Sequence, residues 1–95
     1  MVIWSKAAKI QLQNAFIFIS RDSLQNAEKI RDEIIDTSIS LSKHPEIYPL
    51  DKYKTNNSGS YRAFEIYHYR ISYHIVKDKI YIVRMRHTSM SPLIY

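Results

Sequence analysis

Apolar positions in the first part of the chain recur at helical spacing. Ala8, Leu12, Phe16 and Ile19 follow one another at intervals of four, four and three residues, which places them on one face of a helix. Ser5 stands just before this stretch, and its hydroxyl can accept a hydrogen bond from a free amide of the first turn. The pattern therefore predicts a first helix with Ser5 as its N-cap, preceded by a short apolar strand at 2–4.

A second apolar stripe predicts a second helix. It is formed by Leu24, Ala27, Ile30, Ile34 and Leu41. Asp22 is followed three residues later by Gln25, as in a capping box, and Ser23 is the alternative cap. His44 and Pro45 end this helix, because a residue before proline disfavours the helical conformation. Two amphipathic helices joined by a tight link predict an antiparallel hairpin.

The second part of the chain changes its period. Three segments, at 61–67, 69–77 and 80–87, are rich in Tyr, Ile and Val and predict strands. Lys77-Asp78-Lys79 predicts a hairpin turn, whereas Tyr67-His68-Tyr69 carries no strong turn signal. The long link at 44–60 contains Gly59, the one glycine of the chain and the natural site for a positive φ. Residues 88–95 form a tail.

The order of elements is β-α-α-β-β-β, which predicts the α+β class. The helical hairpin should cover one face of a mainly antiparallel sheet and leave the other face free for solvent and function. With 95 residues, the chain is long enough for a single domain over residues 1–95 and too short for two.

Composition removes several kinds of chemistry. The absence of cysteine excludes disulfides and thiolate sites, and one glycine cannot build a phosphate-binding loop. His68 and His74 should lie about 20 Å apart on one strand, too far to share a metal ion. We therefore expect no metal and no cofactor. No apolar run reaches the roughly 18–20 residues of a membrane span and no signal peptide is apparent, so we expect a cytoplasmic protein without membrane contact.

Positive charge is concentrated in one part of the sequence. Residues 43–95 hold nine Lys and Arg against four Asp and Glu, whereas residues 1–42 hold five of each. All eight tyrosines and all four histidines also lie in the second part. Basic residues among aromatic ones are typical of a partner with phosphates and bases. The alternative is a slightly basic domain whose tyrosines fill a small core.

Five basic residues are candidates for binding nucleic acid. They are Lys52, Lys54, Arg62, Arg84 and Arg86. Strand parity puts Arg84 and Arg86 on one face, opposite Val83, Met85 and His87, and Arg62 could approach Arg70 across a hairpin. Arginine suits a phosphate because its planar fork donates two hydrogen bonds and keeps its charge. These arginines could instead be solvated strand ends or partners of the acids of the second helix.

Several pieces of the chain, in order and over almost its whole length, resemble the RelE/ParE superfamily of bacterial toxins. They are Trp4-Ser5-Lys6-Ala7-Ala8, Asp22-Ser23-x-x-x-Ala27-x-x-Ile30, Leu41-x-x-x-Pro45, Tyr61-Arg62-x-Phe64, Tyr69-Arg70-Ile71-x-Tyr73 and Ile82-Val83-Arg84-x-Arg86-His87-Thr88. The last two are the most specific. The resemblance implies the toxin of a type II toxin–antitoxin system, which inhibits growth and is neutralised by a cognate antitoxin with a partly disordered segment.

One branch of this superfamily implies an enzyme. RelE-like toxins cut messenger RNA on the ribosome, and by this resemblance Arg70, with Tyr95 or His87, would be catalytic. Arg62 falls where RelE-like proteins carry a catalytic lysine. The second lysine of that pair is replaced by Phe64, and Ser89 stands where a further arginine is expected.

The other branch implies no catalysis. ParE-like plasmid stabilisation proteins poison DNA gyrase, and the Trp-Ser-x-x-Ala opening at Trp4, together with the Arg-His-Thr ending before Pro92 and Tyr95, looks ParE-like. The missing basic residues slightly favour this branch. The alternatives are a RelE-like messenger RNA endoribonuclease and a non-toxic degenerate protein that only binds a partner.

Overall fold

The computed structural model describes residues 1–91 and 93–95 and consists of two helices packed on a four-stranded sheet. In chain order the elements are β1 (Val2–Trp4), α1 (Lys6–Ser20), α2 (Leu24–Ser40), β2 (Tyr61–Ile66), β3 (Tyr69–Val76) and β4 (Lys79–His87). This order confirms the predicted α+β arrangement. Pro92, which belongs to the predicted tail, lies outside the described residues. Neither helix is both long enough and apolar enough to span a bilayer.

The sheet has the strand order β1-β4-β3-β2. The pairs β2–β3 and β3–β4 are antiparallel, whereas β1 runs parallel to β4 and forms an edge. After β1 the chain passes through both helices, β2 and β3 before it forms β4. This connection is long enough for β4 to lie parallel to β1. The sheet is thus mainly antiparallel, as predicted.

Both helices begin with a serine cap. The Ser5 hydroxyl accepts a hydrogen bond from the amide of Ala8 at 3.1 Å, so the predicted cap of α1 is confirmed. At α2 the cap is Ser23, whose hydroxyl accepts from the amide of Asn26 at 3.1 Å. Of the two caps considered for this helix, the capping box at Asp22 is therefore wrong.

The second helix ends earlier than the apolar stripe suggests. Its last residue is Ser40, and Leu41 is a buried C-cap. The amides of Leu41, Ser42 and Lys43 bond to carbonyls three residues back rather than four. This tightening of the final turn keeps Leu41 in the core while the chain leaves the helix before Pro45.

The core lies between the helical hairpin and one face of the sheet. Its fully buried members are drawn from every layer, with Ala8 and Ile34 on the helices and Ile71, Tyr73 and Ile82 on the strands. Small residues on the helices let them approach the sheet closely, and the larger strand side chains fill the space between them.

A bulge in β4 divides this strand into two halves. Ser72 pairs with Arg84 and Tyr73 pairs with Ile82, so Val83 has no partner on β3. The extra residue reverses which parity faces the helices. Ile82 before the bulge and Met85 after it are both buried, and Arg84 emerges on the opposite face.

The β2–β3 connection is a two-residue turn without glycine. Tyr67 and His68 have φ values of 48° and 71°, which defines the mirror-image turn that matches the twist of a hairpin. Asn, Asp and Gly usually occupy such positions, and for this reason the residues of this turn carry no turn signal. Gly59, in the long link, has the predicted positive φ, at 110°.

Candidate functional site

The sheet face turned away from the helices, here called the open face, carries most of the candidate residues. Its central positions are Glu65 on β2, Arg70 and Ser72 on β3, and Arg84 and Arg86 on β4. Arg70 is paired with Glu65 on one side and Arg86 on the other, and Ser72 is paired with Arg84. Directly opposed residues share a face, so the register gathers three arginines at one end of this face.

The long link and the last residue lie over part of the open face. The amide of Tyr95 donates to the carbonyl of Tyr53 at 3.0 Å, and the Tyr95 carbonyl accepts from the amide of Thr55 at 2.6 Å. The guanidinium carbon of Arg84 lies 3.9 Å from the centre of the Tyr95 ring, a cation–π contact. Tyr95 is thereby fixed against the sheet by both its backbone and its ring.

Asp51 is the buried centre of this arrangement, with 1% of its surface exposed. Its carboxylate accepts from the Tyr95 hydroxyl at 2.5 Å, from the Arg70 guanidinium at 3.1 Å and from the amide of Tyr53 at 3.1 Å. Burial by itself would raise the pKa of Asp51, but these hydrogen bonds outweigh it and lower the pKa below its ordinary value. Asp51 is therefore an ionised, internally satisfied carboxylate.

Arg70 is held by two acids. One of its terminal nitrogens lies 3.1 Å from Asp51 and the other lies 3.1 Å from Glu65. Its guanidinium also lies 5.0 Å from the centre of the Tyr53 ring. Both prongs of the fork are thus occupied by carboxylates within the protein, and the charge of Arg70 is compensated.

The Tyr95 hydroxyl is a donor and not a base. Burial, followed by its hydrogen bond to Asp51, raises the pKa of Tyr95 to about 12. Near neutral pH the phenol stays protonated, and its proton points at a carboxylate that already binds Arg70.

Besides Arg70, four cations lie near the covered part of the open face. The Lys54 ammonium lies 4.8 Å from the Tyr61 ring and 5.5 Å from the Tyr95 ring, and Lys52 lies over Tyr53. Arg86 donates to the carbonyl of Ser91 at 2.9 Å, and Arg84 rests on Tyr95. None of the four forms an ion pair within the described part of the chain.

A depression of about 60 Å³ lies between Arg70, Arg84 and Arg86. Ser72 lies on its wall with 1% of its surface exposed, and the Ser72 hydroxyl makes no hydrogen bond of good geometry. The depression is too small for a nucleotide and has about the size of a single anion. Among residues 1–91 and 93–95, no cluster of His, Asp and Glu is arranged to hold a metal ion.

Arg62 lies on the other face of the sheet. It is paired with the core residue Tyr73, and its guanidinium donates to the carbonyl of Tyr48 at 2.7 Å. The expectation that Arg62 approaches Arg70 is wrong, because the register opposes Arg70 to Glu65 and places Arg62 three residues along β2 from Glu65, on the opposite face. Arg62 fastens the link at 44–50 to β2.

His87 borders the depression between the arginines, but its ring lies on the other face of the sheet. It is paired with Tyr69 on the helix side of the sheet, and the two rings meet edge to face with centres 5.0 Å apart. Its Nδ1 accepts from the amide of Ser89 at 3.0 Å. Of the three residues named as catalytic candidates, the structure brings Arg70 and Tyr95 together through Asp51 and places His87 on the opposite face.

Asp51 was not among the residues predicted from the sequence. It is one of only four acids in residues 43–95, and it stands between Pro49 and the basic pair Lys52 and Lys54. An isolated acid in a basic stretch was the one sequence feature that could have indicated its importance. Nothing in the local pattern shows that the link folds back to place it under Arg70 and Tyr95.

These features define a class of small basic α+β proteins, in which a helical hairpin covers one face of a short sheet and arginines cluster on the other. Within this class, residues 2–92 match the family of the ParE toxin of the type II toxin–antitoxin system parDE. The chain belongs to the ParE toxin family.

A solved structure supports the fold. The chain is similar to a protein from the chromosomal ParDE toxin–antitoxin system of P. aeruginosa, with a TM-score of 0.68 and 13% sequence identity. The similarity covers 90% of this chain and 92% of the other. No curated protein shows a significant match. The protein is therefore a type II toxin of the ParE type, with a cognate antitoxin as partner.

Proposed function

We propose that this toxin arrests growth in the cytoplasm by poisoning DNA gyrase, and that it does not cleave messenger RNA. The observation that carries the proposal is the state of Arg70, which contacts two carboxylates, Asp51 and Glu65, at 3.1 Å each. An arginine that stabilises a scissile phosphate must present its fork to the substrate. Here both prongs are occupied by acids of the same chain.

The remaining candidates for RNA cleavage support the same choice. A general base must be able to take a proton near neutral pH, and the pKa of Tyr95 is raised to about 12 by burial and by Asp51. His87 lies across the sheet from Arg70. Phe64, at the position of a lysine in RelE-like toxins, is a core residue.

The surface of α1 offers a site for a protein target. Ile10, Ile17 and Phe18 are exposed on the outer side of this helix, and Phe18 keeps 62% of its surface accessible. Residues at spacings of seven and eight share one face of a helix. An exposed apolar face of this kind is typical of a protein–protein contact.

The test is to induce the toxin without antitoxin and to measure gyrase-dependent DNA breaks and new 5′ ends in messenger RNA within minutes. The proposal expects growth arrest, a DNA-damage response and intact messages. Codon-phased cuts in messenger RNA would overturn it in favour of the ribonuclease. Unimpaired growth would favour the third alternative, a degenerate protein that only binds a partner.

Two single substitutions sharpen the distinction. Phe18→Glu changes an exposed residue and is expected to abolish inhibition of purified gyrase while the protein stays folded. Tyr95→Phe removes the hydroxyl that a ribonuclease would use and should leave growth arrest unchanged. Tyr67→Phe is the matched control, because it removes another hydroxyl that also bonds a carboxylate, that of Glu33 at 3.2 Å.

A further inference from the structure

The depression between the arginines of the open face is lined by residues whose buried hydrogen-bond donors have no partner. It measures about 60 Å³, and Arg70, Ser72 and Arg86 are among its lining residues. The Nε atoms of Arg70 and Arg86 and the hydroxyl of Ser72 are buried, and none of the three makes a hydrogen bond. From these groups we infer a binding site for one small inorganic anion, chloride or phosphate, that fastens the sheet to the segments covering it.

The Ser72 hydroxyl is the clearest sign of a missing ligand. Only 1% of the surface of Ser72 is exposed, so its hydroxyl has lost the water that it would bond in the unfolded chain. Asp51 lies near this hydroxyl, but no hydrogen bond of good geometry joins the two. Ser38, the other fully buried serine of the described residues, instead donates to the carbonyl of Ile35 at 2.7 Å. An anion in the depression would give Ser72 the acceptor that Ser38 already has.

The charge around the depression favours a negative ligand. Arg70, Arg84 and Arg86 line it together with a single acid, Glu65, among the described residues. Arg70 is compensated by Asp51 and Glu65, whereas Arg84 and Arg86 form no ion pair with the described residues. Arg70 and Arg86 are also directly opposed in the β3–β4 register, and like charges in such a pair repel one another. A bound anion would offset this repulsion.

The enclosure of the depression selects a free ion over a nucleic acid. Tyr53 of the long link borders it on one side, and Thr88 and Met90, which follow β4, border it on another. Its volume of about 60 Å³ is roughly twice the share of one water molecule in the liquid. A single ion fits this space, and a phosphate flanked by two sugars does not. The same ion would connect β3, β4, the link and the tail.

Thermal unfolding in different salts tests the site. The purified protein is measured in sodium gluconate, whose anion is too large for the depression, and chloride or phosphate then replaces gluconate at constant ionic strength, which keeps screening constant. A ligand that binds only the folded state raises the melting temperature as its concentration passes its dissociation constant. We expect chloride, phosphate or both to raise it by roughly 4–8 °C near saturation, and the two separate titrations show which ion binds.

The two buried serines provide a matched pair of variants. Ser72→Ala removes a donor that has no partner, so in gluconate this variant should be at least as stable as the wild type, and its melting temperature should not respond to the small anion. Ser38→Ala removes a donor that is already paired, so it should lower the melting temperature in every salt and keep the full response. General effects of salt on unfolding act on both variants alike.

A pair of arginine variants tests the contribution of charge. Arg86→Gln removes a guanidinium that lines the depression, and the apparent dissociation constant of the anion should rise by roughly tenfold or more, as expected for the loss of a hydrogen bond between charged groups. Arg31→Gln removes a guanidinium of α2 that pairs with the exposed Asp32. This control should leave the dissociation constant unchanged.

Two results would overturn the inference. Equal melting temperatures of the wild type in gluconate, chloride and phosphate would show that water fills the depression. An undiminished response in Ser72→Ala would place the bound ion elsewhere on this basic protein. Both results are obtained on the purified toxin alone, so neither depends on which target the toxin inhibits.

Discussion

Asp51 determines what the neighbouring side chains can do. Because its carboxylate is ionised and buried, Arg70 has an internal counter-ion and the Tyr95 hydroxyl has an internal acceptor. Removing one partner of a buried charge pair leaves the other without compensation, and for this reason such pairs resist substitution. Glu65 contacts the same arginine from an exposed position, so the two acids offer a comparison within one site.

Replacing Asp51 by asparagine should destabilise the protein at neutral pH. The isosteric change keeps an acceptor for Tyr95 but removes the charge, and we expect the free energy of unfolding to fall by about 1.5–3 kcal/mol, the range for hydrogen bonds to charged groups. Glu65→Gln, at an exposed acid, should cost less than about 1 kcal/mol. Urea unfolding at pH 7 measures both, and equal effects would show that burial of Asp51 contributes nothing.

The difference in unfolding free energy between the wild type and Asp51→Asn should decrease as the pH falls. The folded pKa of Asp51 lies below its ordinary value of 3.8, so its contribution to stability is complete above that value. The contribution is lost as pH falls through the lower, folded pKa. The gap in unfolding free energy between the wild type and Asp51→Asn should therefore narrow below about pH 4. A gap that stays constant down to pH 2 would contradict this prediction.

At the scale of the elements, the helices were predictable and the register of the sheet was not. The apolar stripes placed α1, and its cap Ser5, correctly because both signals are local. The position of Arg62 depended on the β2–β3 pairing, which long-range contacts determine. Parity within β4 placed Arg84 opposite Met85 correctly, but it would also have put Ile82 beside Arg84. The bulge at Val83 prevents this, and no residue type in β4 indicates a bulge.

The turn between β2 and β3 is the element that its local sequence favours least. Side chains other than those of Gly, Asn and Asp cost roughly 1–2 kcal/mol in the left-handed region, and both Tyr67 and His68 lie there. The double change Tyr67→Asn and His68→Gly should raise the free energy of unfolding by about 1 kcal/mol, and the melting temperature by roughly 4–8 °C. Thermal unfolding followed by circular dichroism measures the change.

A turn position without positive φ provides the control. Asp78 follows Lys77 in the β3–β4 turn, and of the two only Lys77 has a positive φ. Asp78→Gly should therefore destabilise the protein, because glycine there gains only freedom in the unfolded chain. If the Asn-Gly variant also loses stability, the contacts of Tyr67 with Glu33 and Lys29 outweigh the backbone cost.

At the scale of the whole molecule, the net charge affects the rate of association with a partner more than the rate of dissociation. Most positive side chains lie in residues 43–95, whereas residues 1–42 hold as many acids as bases. Short-range contacts set how long an acidic partner stays bound. The net charge of +5 acts earlier, because it attracts that partner over distances longer than any contact.

Association with the antitoxin should therefore slow as salt rises. Stopped-flow measurement of Trp4 emission should show an association rate that falls by about tenfold between 50 and 500 mM NaCl, because the screening length shortens over this range. The dissociation rate should change much less. Lys52→Glu, in the long link between α2 and β2, lowers the net charge and should slow association without speeding dissociation. If salt instead speeds dissociation and leaves association unchanged, the charges act only within the bound complex and the field of the molecule has no part in finding its partner.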